Sequence, residues 1–134
     1  MGYLLDTCVI SDFVKGEEHT IQRLKSSTPN EIFISSLTVM EVRYGLLINP
    51  QRAIKIQPSI ETLLSTITML PFGVVEAEQS AQIRTILKTA GTPIGAYDVL
   101  IASTALTHNL ILLTSNIREF QRISSLQIEN WRSA

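Results

Sequence analysis

The chain has 134 residues, 45% hydrophobic and 17% charged, with a formal net charge of −1 and a pI near 6.1. That composition excludes a disordered chain and suffices for one core, so a single domain over residues 1–134 is expected. The near-neutral balance exerts no general pull on phosphate, and a nucleic-acid partner would have to be met by a local basic patch.

The lone Cys8 excludes an intrachain disulfide, and the first residues carry no basic segment ahead of an apolar one. No apolar run approaches the roughly 18 residues that cross a bilayer, and Asp6 stands where a myristoylation signal needs Ser or Thr. The expectation is a soluble, cytoplasmic protein with no membrane partner.

In chain order, Tyr3-Leu4-Leu5 is a short apolar run ended by Asp6, the pattern of a strand buried on both faces. Val9 to Val14 and Thr20 to Leu24 space their apolar residues by three and four, as helices do. Ile32-Phe33-Ile34 is a second strand and Leu37 to Ile48 the helix after it. From Gln51 to Met69 a helical pattern is interrupted by Pro58, which predicts two helices meeting at an angle or one kinked helix. Met69-Leu70-Pro71-Phe72 is a weaker strand, which Pro71 demotes toward a sheet edge or the entry to the next element.

Ala77 to Ala90 is helical up to a stopping Gly91. Val99 to Leu106, VLIASTAL, is apolar around most of its circumference and predicts a central, buried helix. Ile111-Leu112-Leu113 is the third clear strand, and Leu126-Gln127-Ile128 a further weak one. Strands alternating with helices predict an α/β fold, a mostly parallel central sheet flanked by helices, with any site beyond the carboxyl ends of the strands.

The acids are distributed accordingly. Asp6 directly follows the first strand, Glu41 lies in the helix after the second, Asp98 opens VLIASTAL, and Glu119 follows the third strand by way of Thr114-Ser115-Asn116. Each has a structural explanation: Thr38 to Glu41 matches a T-x-x-E capping box, Asn116 to Glu119 a similar cap, and Asp98 a natural N-cap. Asp6 resists such a reading, because a carboxylate ending a buried strand needs a helix N-terminus, a basic partner or a cation, and no Lys or Arg precedes Lys15.

The chemical reading is that four acids from four segments surround one or two hard divalent cations, Mg²⁺ or Mn²⁺, some acting through water. Such a site suits phosphodiester hydrolysis. Competing phosphoryl chemistries fail on particular positions. A dehalogenase-type phosphatase wants Asp where Cys8 stands, a cysteine phosphatase wants Arg at Val14, and a receiver domain wants Asp at Ser35 and a lysine after a later strand, whereas no lysine follows Ile111.

Four stretches together carry a family resemblance: LLDTCVIS at Leu4 to Ser11, ISSLTVMEVRYG at Ile34 to Gly45, AQIRTILKTAGTPIGAYDVLIASTAL at Ala81 to Leu106, and LLTSNIREFQRISSLQIENW at Leu112 to Trp131. In this order they resemble PIN-domain ribonucleases of the VapC toxin type. The resemblance implies a metal-dependent endoribonuclease acting on structured RNA such as transfer RNA, held dormant by a VapB-type antitoxin, with Mg²⁺ or Mn²⁺ as cofactor. It maps the catalytic and metal-binding acids onto Asp6, Glu41, Asp98 and Glu119, and gives Thr7, Thr114 and Asn116 supporting, substrate-orienting roles.

Two positions depart from the family. Cys8 stands where Asn is common and is read as a small packed residue, not a nucleophile; Glu119 replaces a frequent Asp and is expected to reach metal through water. The helical segment Gln51 to Met69 carries Ile54, Ile56, Ile60, Leu63, Leu64 and Ile67, more apolar surface than one small sheet needs, and the family implies a homodimer and an antitoxin groove there. Arg43, Arg84, Lys88, Arg118 and Arg122 are candidates for phosphate contact or simply solvated helix faces. Asp12 is read as a helix-surface acid, His19 as a surface residue and His108 as a helix-end residue. Two other readings stand beside the toxin: a PIN nuclease of RNA maturation without an antitoxin, and a catalytically degenerate binding module.

Overall fold

The computed structural model of the chain describes residues 2–132. Its apolar runs form five parallel strands, β1 (Tyr3–Leu5), β2 (Ile32–Ser35), β3 (Thr68–Leu70), β4 (Ile111–Leu113) and β5 (Ile128–Glu129). Their order across the sheet is β3-β2-β1-β4-β5. The chain thus starts at the centre, fills one side and then crosses to the other. Strand order reverses between β1 and β4, and a crevice opens at their carboxyl ends where such a reversal occurs.

Parallel neighbours cannot be joined by tight turns, so helices make the crossovers. From β1 to β2 run α1 (Thr7–Lys15) and α2 (Glu18–Ser26), followed by a 3₁₀ turn at Pro29–Glu31; from β2 to β3 run α3 (Ser36–Ile48) and α4 (Pro50–Thr66). From β3 to β4 run α5 (Val74–Thr89) and α6 (Ala96–Thr107), and the four-residue α7 (Ile117–Phe120) links β4 to β5.

Successive strand residues face opposite sides, and the core is divided in the same way. Leu4 and Leu112 join Ile83 and Leu87 of α5 and Ile101 and Ala105 of α6 on one face. Leu5, Ile34 and Leu113 pack on the other against Val9, Val42, Ile60 and Trp131. Helix α6 is central as expected, with Val99, Ala102, Ser103, Thr104 and Ala105 among its buried residues.

Pro58 does not divide its segment: α4 is a single helix through it. The carbonyl deprived of its partner belongs to Ile54, which is 79% exposed, so water can take that bond. The segment also spends most of its apolar residues internally. Ile60 and Leu63 are buried, and Ile56, Leu64 and Ile67 pack against the same core, leaving Ile54 alone fully outward. Met69 lies in β3 instead of the helix, and β3 ends just before Pro71, at a sheet edge. The weak strand near Leu126 is displaced to Ile128–Glu129.

Asp12 is not a surface acid. It is buried and accepts two bonds from Arg132, Nη2 to Oδ1 at 2.7 Å and Nε to Oδ2 at 3.2 Å. Beside this pair, Trp131 meets Tyr3 edge-on at 5.2 Å and lies under the Arg23 guanidinium at 4.7 Å. The C-terminal segment is thereby fastened across α1 and α2.

Candidate active site

Asp6 terminates β1 and caps α1 in one residue. Its Oδ1 accepts the Thr7 backbone N–H at 2.8 Å, satisfying one of the open donors of the helix start. Its Oδ2 accepts the Thr114 hydroxyl at 2.8 Å, from the residue that follows β4. Strand reversal places these two chain ends side by side. No cation contacts this buried carboxylate among the described residues; a helix N-terminus and a hydroxyl hold it.

Cys8 belongs to the same network. Its thiol donates to Asp6 Oδ2 at 3.6 Å and lies 3.5 Å from Thr114 Oγ1, while its sulfur accepts the Ser115 N–H at 3.3 Å. The thiol thus offers Asp6 and Ser115 a weak donor and a weak acceptor. Sequence reading placed Cys8 as packing alone; its i+2 spacing from Asp6 on a helix start was the available signal.

Glu41 is not the end of a capping box. Helix α3 begins at Ser36 with Ser35 as its cap, whose hydroxyl oxygen accepts the Leu37 N–H at 3.1 Å. Thr38 lies one turn inside, its hydroxyl buried with no partner. Glu41 is instead bonded by the Thr7 hydroxyl at 3.1 Å, which links the second acid to the first. Asp98 is likewise not an N-cap: α6 begins at Ala96 after Gly95, putting Asp98 within the first turn. A side chain at Gly95 would begin 3.2 Å from Asp98 Oδ2, so glycine leaves that oxygen open.

Glu119 lies in the short helix α7, and its Oε2 accepts from the Asn116 side-chain amide at 3.1 Å. Asn116 in turn donates its backbone N–H to Thr114 Oγ1 at 3.0 Å, so Thr114 is the hub between β4, Asp6 and the last acid. Of the seven candidate residues, Asp6, Thr7, Glu41, Thr114, Asn116 and Glu119 form two bonded chains meeting at Asp6, and Asp98 joins through Glu119.

The electrostatics follow. Burial, the hydrogen bond to Glu119 and the negative charges of Asp6, Glu119 and Glu41 push Asp98 up to about 7. Glu119 moves the other way, lowered first by the Asn116 amide and then by the bond to Asp98, with Arg122 adding its positive charge. Below about pH 7, with no cation present, Asp98 thus keeps its proton beside the ionised Glu119.

A cation would relieve the same repulsion, and the donors are the hard oxygens that Mg²⁺ or Mn²⁺ prefers. Among the described residues, no three acid, His or Cys side chains are gathered closely enough to hold an ion by themselves. Mg²⁺ commonly keeps several waters, so the set fits an ion held by one or two carboxylates, the others acting through water.

A five-stranded parallel sheet with acids converging on its reversal point defines the class. The PIN-domain model matches residues 3–126, and the chain belongs to the PIN-domain family. Within it the chain is similar to the tRNA(fMet)-specific endonuclease VapC of Salmonella typhimurium, at 35% identity over 134 residues and 98% of each chain. It is similar also to ribonuclease VapC1 of Rickettsia felis, at 35% identity, covering 96% of this chain and 95% of that one. The crystal structure of VapBC2 from Rickettsia felis, bound to a DNA fragment from its promoter, superimposes with a TM-score of 0.89 at 32% identity, over 98% of this chain and 99% of that one.

Proposed function

We propose that the chain, a single domain over residues 1–134, is the toxin ribonuclease of a VapBC-type toxin–antitoxin pair. It cleaves structured RNA, with transfer RNA the first class to test because the Salmonella relative is named for one. The observation that carries this reading is the bonded network that draws Asp6, Glu41 and Glu119 from separate segments to the carboxyl ends of the central strands, with Asp98 raised by burial and by these acids beside it. Carboxylates arranged at this cost to one another are a mark of function.

Asp6 and Asp98 are the residues assigned to direct metal contact, with Glu41 and Glu119 completing the shell directly or through water. A bound Mg²⁺ or Mn²⁺ supplies an activated water and neutralises charge on the phosphodiester. The chain's own groups prepare that chemistry. Thr7 and Asn116 aim Glu41 and Glu119, and Thr114 holds Asp6 against the end of β4.

A groove of about 360 Å³ between α1, α3 and α4 begins at Thr7 and Glu41 and continues over Ile10, Val42 and Ile56. A VapB-type antitoxin segment fits this groove, with a basic side chain entering the acid cluster. Tyr44 and Leu47, exposed on α3, suit a homodimer contact. Among the described residues no helix is long and apolar enough to cross a membrane, and cytoplasmic action on RNA is the consistent setting.

The test is cleavage of total RNA by the pure protein with Mg²⁺ or Mn²⁺ and with chelator. Asp6→Asn and Asp98→Asn should each slow cleavage by at least about two orders of magnitude, with Glu119→Gln costing less. Near-wild-type cleavage by Asp98→Asn would remove the catalytic assignment and leave a binding module. Cleavage that coexpression with a neighbouring antitoxin gene leaves unchanged would favour a maturation nuclease.

A further inference from the structure

A second groove, of about 630 Å³, lies between α5 and α6 on the sheet face opposite α1 and α3. Its floor is aliphatic, with Leu87, Ile94, Val99 and Leu100. Among the described residues its charged lining is Arg84 and Lys88, both exposed on α5 one turn apart. In a chain with 12 acids and 11 bases, a lining that carries cations and no acid is a local departure from balance.

The groove and the acid site share the N-terminal turn of α6, the groove on one side of it and Asp98 on another. Ala96 and Val99, which line the groove, flank Asp98 in the first turn of α6. Its rim at Pro93 accepts a bond from Arg122 Nη1 at 2.9 Å, and the Arg122 backbone N–H donates to the Glu119 carbonyl at 3.1 Å. Arg122 thus ties the turn that carries Glu119 to the rim of the groove.

We propose that this groove is an RNA subsite, in which an unstacked nucleobase beside the cleaved bond enters the aliphatic trough while Arg84 and Lys88 meet the flanking phosphates. The inference rests on the ribonuclease reading above and extends it to substrate positioning. The volume is that of a ligand-sized pocket. Single-stranded RNA is held by this pairing of cations on the backbone with a base lying against an apolar or guanidinium face. Acidic peptides would satisfy the cations but not the trough.

The experiment measures binding of a short fluorescent single-stranded oligoribonucleotide to the full chain in chelator, where cleavage is suppressed, across a range of salt. Its comparison is a ribose-phosphate chain of the same length without bases. Wild type should prefer the base-bearing strand roughly tenfold. Replacing both cations, Arg84→Ala with Lys88→Ala, should lower the slope of log affinity against log salt by about 1.4, as expected for two lost single-strand phosphate contacts. Ala81→Trp, at an exposed position, should fill the trough and narrow the preference for bases several-fold.

An unchanged salt slope in the double variant overturns the proposal, and so does Ala81→Trp discriminating as wild type does. A sedimentation change in Ala81→Trp with unaltered RNA binding would make the groove a contact between copies and overturn it equally. The double variant changes only exposed side chains, so it decides the matter even if Ala81→Trp fails to fold. Wild type that cleaves no RNA with either metal would end the underlying reading as well, whereas Asp98-dependent cleavage with normal RNA binding by the groove variants would end this inference alone.

Discussion

Thr114 Oγ1 donates to Asp6 Oδ2 at 2.8 Å across 108 residues of sequence, while the same oxygen accepts the Asn116 N–H at 3.0 Å. One buried hydroxyl therefore fixes the acid after β1 and the turn that presents Glu119. Thr114→Val keeps the shape but removes both bonds. A second partner of a metal-binding carboxylate typically changes metal affinity by roughly 10–100-fold. Cleavage by Thr114→Val should accordingly need more metal by about that factor, with Thr114→Ser restoring it. A titration in which Thr114→Val and wild type coincide would show that Asp6 needs no such support.

Cys8 provides a graded comparison at the same carboxylate. Cys8→Ser retains a donor to Asp6 and an acceptor for the Ser115 N–H, so cleavage should stay within a few-fold of wild type. Cys8→Val retains only volume and strands that N–H, at a cost of about 1–3 kcal/mol if it is left without a partner. It should melt lower and respond more weakly to metal. A folded but inactive Cys8→Ser would mean that the sulfur itself takes part in the reaction.

The pair of Asp12 and Arg132 concerns stability instead of chemistry. Arg132 is about half exposed, whereas Asp12 is buried, so the loss of Arg132 leaves a carboxylate with little access to water. Allowing for screening on the exposed side, Arg132→Ala should destabilise the fold by about 1–2 kcal/mol. Asp12→Asn with Arg132→Ala should recover part of that loss, because the stranded charge is gone. Chemical unfolding of the three proteins measures it, and equal stabilities would assign the contact no energetic role.

Much of this fold could be read from the sequence because its central strands are buried on both faces. Tyr3-Leu4-Leu5, Ile32-Phe33-Ile34 and Ile111-Leu112-Leu113 are unbroken apolar runs for that reason, and all three are strands as expected. The edge strand β5 has only two residues, too few for a pattern to locate. Helix starts were hidden by residues that suit caps but lie inside: Thr38 and Asp98 look like caps, yet Ser35 and Gly95 occupy those positions. Asp12 looked solvated because its partner is 120 residues away, a separation that no local pattern reports. The candidate acids were legible through their place after successive strands. The bonds among them were not, since Thr7 to Glu41 and Thr114 to Asp6 exist only after the strands align.

Asp98 links the site to the stability of the metal-free protein. Its carboxyl sits at about 7 in the folded chain, chiefly through burial and then through Glu119 and the other acids, against an ordinary value of 3.8. The folded state therefore holds a proton that the unfolded chain has released. The resulting stabilisation is complete below pH 3.8 and disappears as pH rises through about 7. In chelator, Asp98 should thus lower the stability of wild type between pH 5 and pH 8, by an amount on the order of 2 kcal/mol after solvent screening. Asp98→Asn cannot ionise, so its stability should lack this component and exceed that of wild type at pH 8. Metal reverses the ranking at that pH, because saturating Mg²⁺ or Mn²⁺ stabilises the chain that binds it by roughly 2–3 kcal/mol at a hundredfold excess over the dissociation constant. Wild type should gain that increment and Asp98→Asn little of it. Thermal melts of both proteins at pH 5 and pH 8, with chelator and with metal, separate these contributions; parallel curves in all four conditions would show that Asp98 neither titrates in this range nor contacts the ion.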